Sequence, residues 1–107
     1  MNQPPIAHQR SSRHNFVAGI HVTDLSSEKE IAAHTEDLSA FGCYVETATP
    51  FAEGTKVRLR ISRSGQHVVA QGKVAHCRQN AGMGIRFVSF EPGSLPILDA
   101  WLSDLRK

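Results

Sequence analysis

The chain has 107 residues and a formal net charge of +2, with 40% hydrophobic and 21% charged residues. That is one domain's worth of chain, and its composition excludes a disordered polymer. No apolar run approaches the ~20 residues of a spanning helix, and the first 15 residues lack the apolar core of a secretory signal. A cytoplasmic location with no membrane contact is therefore expected.

The net charge conceals a segregated one. Residues 16–53 carry seven acids against Lys29 alone, whereas residues 54–90 carry Lys56, Arg58, Arg60, Arg63, Lys73, Arg78 and Arg86 and no acid. Such a split implies either an anionic ligand or complementary pairing between the two halves.

In chain order, residues 1–15 are polar and aperiodic, with Pro4-Pro5, Arg10 and Arg13, and read as a flexible arm. Residues 16–107 read as a single domain. Phe16 to Thr23 alternates, placing Phe16, Ala18, Ile20 and Val22 on one face of a strand. Glu30 to Asp37 is ambiguous by composition, and a strand is favoured because the next strand follows so soon. Phe41 to Thr47 alternates with Phe41, Cys43 and Val45 together, and Tyr44 and Glu46 opposite.

Lys56 to Ser62 is the cleanest strand, with Val57, Leu59 and Ile61 inward and Arg58 and Arg60 outward. Ser64-Gly65 signals a hairpin into a long strand, His67 to Cys77, in which Gly72 marks a bend or bulge. Met83, Ile85 and Phe87 alternate in a further strand after the Asn80-Ala81-Gly82 turn. The period then changes: Leu98, Trp101, Leu102 and Leu105 predict a helix over about 94–106. Ser94 would cap it and Arg106 and Lys107 would suit its C-terminal dipole. Trp101 would plug the core or a barrel mouth. About six strands and one helix indicate an all-β, small antiparallel barrel or sandwich.

Asp37-Leu38-Ser39-Ala40-Phe41-Gly42 is the most informative local stretch. Asp and Ser form turns through side-chain bonds to backbone, and Gly42 marks a bend or close backbone approach. Two residues apart on an extended chain, Asp37 and Ser39 point the same way. Their carboxylate and hydroxyl could meet the edge of a purine, with Asp37 accepting from guanine N1–H and N2–H.

This stretch resembles the D/N-x-S-x-x-G motif of PilZ domains, bacterial receptors for cyclic di-GMP. The resemblance continues through Gly54-Thr55-Lys56-Val57, Gly72-Lys73-Val74 and Gly82-Met83-Gly84-Ile85-Arg86-Phe87, and covers roughly residues 9–105. It implies a six-stranded antiparallel Greek-key barrel with a C-terminal helix at one mouth. It also implies a ligand set of Arg10, Arg13, Asp37, Ser39 and Gly42. The family's R-x-x-x-R arm is one residue short here: Arg10-Ser11-Ser12-Arg13 gives R-x-x-R. Each guanidinium fork can grip a phosphate or a guanine O6/N7 edge bidentately.

The expected function is a monomeric or weakly dimeric cyclic di-GMP receptor that changes conformation to regulate an effector protein. The alternative is a PilZ-like interaction module that docks to partners without the ligand. No cofactor beyond the ligand is expected. Cys43, Cys77, His34 and His76 lack zinc-ligand spacing, so no metal is expected either. No phosphate loop, carboxylate pair or nucleophile elbow is present, which argues against an enzyme. With 7% aromatic residues the chain offers few bases a stacking platform, which argues against a nucleic-acid polymer as partner.

Overall fold

A computed structural model of the chain describes residues 14–105. Its elements are β1 (His14–Asn15), β2 (Gly19–Asp24), β3 (Glu30–Leu38), β4 (Gly42–Glu46), β5 (Lys56–Arg63), β6 (Gln66–Arg78), β7 (Gly82–Phe90) and α1 (Ser94–Leu105). Arg10, Arg13, Arg106 and Lys107 lie outside the described residues.

All pairings are antiparallel. The strand order β3-β2-β5-β6-β7-β4 returns to β3 through the β3–β4 pairing, closing a six-stranded barrel to which β1 is added along β3. The barrel is thus two three-stranded meanders, β2-β3-β4 and β5-β6-β7, which meet at β2–β5 and β4–β7. The boundary between them coincides with the change from acidic to basic sequence.

Alternation supplies the core. Ile20 and Val22, Val57, Leu59 and Ile61, and Val68, Ala70 and Val74 are buried, while Arg58, Arg60 and Lys73 between them are exposed. Burying a side chain of this kind contributes roughly 1.5–3 kcal/mol. The β5–β6 hairpin turns on Ser64 and Gly65, both at positive φ (52° and 79°), between the paired residues Arg63 and Gln66. A two-residue loop of this sort matches the twist of its flanking strands. Gly72 sits at a register shift in the β6–β7 ladder, as its position in the sequence indicated.

Two elements differ from simple alternation. The strand expected from Phe16 begins its regular ladder only at Gly19, although Phe16 and Ala18 are buried and Val17 between them is exposed. The reason is Thr35 on β3. Its buried hydroxyl donates to Phe16 O (2.5 Å) and accepts the Ala18 N–H (3.0 Å), and its own N–H donates to Ala18 O (2.9 Å). A side chain therefore holds two of the bonds that a ladder would otherwise make. Phe41, expected inward with Cys43 and Val45, is instead 50% exposed, because the chain is still turning there and β4 starts at Gly42.

Helix α1 lays Leu98, Trp101 and Leu102 against the barrel, with Ile97 and Leu105 partly buried beside them. Trp101 meets Phe16 at 5.4 Å between ring centroids, and the Arg63 guanidinium lies 4.5 Å from the Phe16 ring centre. Ser94 opens the helix, but its buried Oγ accepts the Val69 N–H of β6 (2.9 Å), fastening the β7–α1 corner to the barrel. No helix among the described residues is long and apolar enough to cross a membrane.

Thr35→Val keeps the shape of the side chain and strands the Phe16 carbonyl and the Ala18 amide. It is expected to cost about 1–3 kcal/mol, read as a lowered urea midpoint at unchanged slope, with Thr35→Ser recovering most of the loss.

Candidate ligand site at the β3–β4 turn

A bulge sets the site. The β3–β4 register shifts between Thr35, opposite Val45, and Asp37, opposite Tyr44. The extra residue, Glu36, lets Thr35 and Leu38 both stay buried while Asp37 stands half-buried on the outer side. Asp37 Oδ1 accepts the Tyr44 N–H at 3.0 Å, which fixes the carboxylate over the start of β4. On its other edge β3 receives β1, with Asn15 opposite Asp37 and His14 opposite Leu38. Asp37 therefore lies between the Tyr44 backbone and the root of the N-terminal segment.

Ser39 does not follow Asp37 outward. The strand ends at Leu38, and Ser39 is buried within the turn. Its N–H donates to Gly42 O (2.9 Å), and its Oγ accepts the N–H groups of Phe41 (3.1 Å) and Gly42 (3.3 Å). The two-residue spacing placed both side chains on one surface, but the serine hydroxyl is engaged in shaping the loop. Gly42 is fixed by close approach: a Cβ there would collide with the Ile85 carbonyl of β7. Asp37, Ser39 and Gly42 are thus brought together in one compact turn, with Asp37 presenting its carboxylate, Ser39 tying the loop and Gly42 seating it on β7.

The outer surface beside this turn comes from β4, β7 and β6. Tyr44 lies opposite Gly84, which lies opposite His76. The His76 ring covers Gly84, where a Cβ would come within 2.6 Å of the imidazole Cε1, and the Tyr44 and His76 rings are 6.1 Å apart. A hollow of about 150 Å³ includes Ser39, Phe41, Gly42, His76 and Arg86. A larger one, about 450 Å³, lies between Glu36, Tyr44, Glu46, Arg78 and Asn80. The Tyr44 hydroxyl is buried with no hydrogen-bond partner among the described residues.

Sequence reasoning did not single out Tyr44, His76 or Arg86 for this surface. Tyr44 was legible as outward-facing from the alternation of β4. His76 was not, because a second register shift between Val74 and His76 changes its phase. Among the described residues, no three His, Cys, Asp or Glu side chains come together as a metal-binding group. Cys43 is buried and Cys77 half-buried, and neither is in a disulfide.

Known proteins agree with this architecture. A family model described as the PilZ domain matches residues 7–104, nearly the whole chain, and the chain belongs to the PilZ domain family. Comparison with proteins of curated function returns no significant match. The fold is similar to the crystal structure of the PilZ domain of CeSA from a cellulose-synthesizing bacterium (TM-score 0.70, 18% identity, 91% of this chain and 100% of that one). It is similar to the Bacillus subtilis inhibitor of motility MotI/DgrA (TM-score 0.72, 19% identity), covering 92% of this chain and 51% of that one. It is also similar to the PilZ domain of Escherichia coli YcgR, solved with c-di-GMP (TM-score 0.69, 16% identity, 91% and 90% coverage).

Gly42→Ala is expected to destabilise the barrel by roughly 1–3 kcal/mol, because the added methyl meets strand backbone that cannot move without breaking the β4–β7 ladder. Thermal unfolding followed by circular dichroism measures this, and Ala40→Gly in the same loop serves as the mild comparison.

Proposed function

We propose that this protein is a cyclic di-GMP receptor that passes the level of the dinucleotide to an effector protein. The observation that carries the reading is the placement of Asp37. Its half-exposed carboxylate sits on the outer barrel wall, held by the Tyr44 N–H, with β1 running past it at Asn15. Arg13 is bonded directly to His14, and Arg10 is three residues further out. An extended chain reaches about 3.3–3.6 Å per residue, so both arginines are within a few residues of the strand that pairs beside Asp37.

In this reading Asp37 accepts N1–H and N2–H of a guanine, a pairing that an amide-bearing or apolar side chain would make less well. Ser39 and Gly42 supply the loop that keeps Asp37 and Tyr44 in register. Arg10 and Arg13 close over the ligand from the arm, each offering a fork to a phosphate or to guanine O6/N7. Residues 1–15 act as the arm and residues 16–107 as the domain that carries it. Ordering the arm costs conformational entropy, so ligand contacts must exceed that cost, and the ordered arm gives the effector a surface that the free protein lacks.

The R-x-x-R spacing favours a second reading, in which the domain docks to its partner with no dinucleotide bound. Titration calorimetry separates the two. The receptor reading expects a saturable heat with cyclic di-GMP, and its absence at about 100 μM ligand leaves only the docking module, since useful signalling affinities lie near the micromolar range. Arg13→Ala and Asp37→Ala are each expected to weaken binding by on the order of 2 kcal/mol or more, beyond tenfold, the cost of leaving a charged partner unpaired. Equal affinity in either variant removes that residue from the site.

A further inference from the structure

The basic half of the chain is not neutralised evenly. Arg58 pairs with Glu91 at 2.9 Å, and that carboxylate comes from the β7–α1 corner, outside the acidic half. His21 pairs with Glu30 at 2.9 Å. Three other cations fall in a single cross-strand row on the outer wall. Lys56 of β5 lies directly opposite Lys73 of β6, and Lys73 lies directly opposite Arg86 of β7. All three are exposed, and among the described residues none has a carboxylate within ion-pair distance. Like charges facing each other across a ladder destabilise it. With strands about 4.8 Å apart, the row is only ~10 Å long.

The row also has an apolar end. Arg86 lies opposite Gly42, and the half-exposed Phe41 precedes that glycine. Two residues beyond Arg86 on β7, Val88 is 67% exposed. A hollow of about 330 Å³ separates Lys73 and Arg86 from Glu53. Arginine beside exposed aromatic and aliphatic side chains is the composition of a protein-binding surface.

We propose that the Lys56–Lys73–Arg86 row, with Phe41 and Val88 at its end, is a docking surface for a short acidic segment of a partner protein that carries an apolar residue. The surface complements such a segment in charge and in length. A nucleic-acid strand fits it poorly. The row is too short to track a backbone, and its apolar end offers nothing to phosphates. This docking does not depend on dinucleotide binding and is measured without it.

The test uses the full chain and a fluorescein-labelled peptide, Glu-Asp-Glu-Asp-Leu-Phe, followed by fluorescence polarisation at low salt. Saturable binding is expected, and Lys56→Glu and Lys73→Glu should each weaken it about fivefold or more. Arg60→Glu, on the same strand as Lys56 but outside the row, should change it little. The charge-swapped peptide Lys-Arg-Lys-Arg-Leu-Phe should bind the unaltered protein far more weakly, a comparison that needs no variant to fold. Absence of saturable binding overturns the proposal. So does an equal loss in Arg60→Glu, which would reveal diffuse attraction, and so does tighter binding of a mixed-sequence DNA oligonucleotide than of the acidic peptide.

Discussion

One strand takes three partners, and the barrel depends on it. β3 takes β2 on one side and β4 on the other, meeting both at His34, and beyond that point its free edge receives the segment that leads in from the N-terminus. Two irregularities make this double duty compatible with a closed core. The Thr35 hydroxyl replaces ladder bonds where Phe16–Ala18 depart from strand geometry. The Glu36 bulge returns Leu38 to the interior and leaves Asp37 outside. The same departures from regular pairing that close the barrel therefore also create the carboxylate on its wall.

The helix is held by the same economy of parts. Trp101 packs on Phe16, the first buried residue after β1, and Phe16 O is the group to which Thr35 donates. The root of the N-terminal segment, the double-edged strand and the helix thus share one buried cluster. A shift of residues 14–16 would be felt by Trp101 directly, which gives the barrel a physical route between the wall that carries Asp37 and its helix. The link consists of packed side chains with few alternatives, and such contacts transmit displacement well.

Much of this was legible in the sequence, for definite reasons. Val57, Leu59 and Ile61 alternate without interruption, so their strand, its inward face and its hairpin at Ser64-Gly65 follow from period and turn chemistry. The amphipathic spacing of Leu98, Trp101 and Leu102 likewise reveals the helix. Legibility failed where the chain turns early or the pairing register shifts without a glycine to mark it, because a bulge is a property of two strands; the shift at Gly72 was marked. The strand ends at Leu38, so the expectation that Asp37 and Ser39 share a surface gave way to a serine folded into its own turn. The bulge between Val74 and His76 hid His76. The partner of Arg58 was missed because Glu91 is brought near only by the corner that Ser94 pins to Val69.

The division into two meanders has a consequence for how the molecule assembles. Each meander is built from neighbouring strands and can form from local contacts, whereas the β2–β5 and β4–β7 seams require the two to find each other. Residues 16–53 and 54–90 carry opposite charge, so the halves attract one another while still apart. That attraction acts across water and fades beyond a screening length of about 10 Å at 0.1 M salt. Once the seams have formed, the Arg58–Glu91 ion pair and the His21–Glu30 hydrogen bond seen among the described residues do not join one half to the other. The opposite charge of the two halves therefore acts at longer range than an ion pair, and salt should slow the meeting of the two meanders.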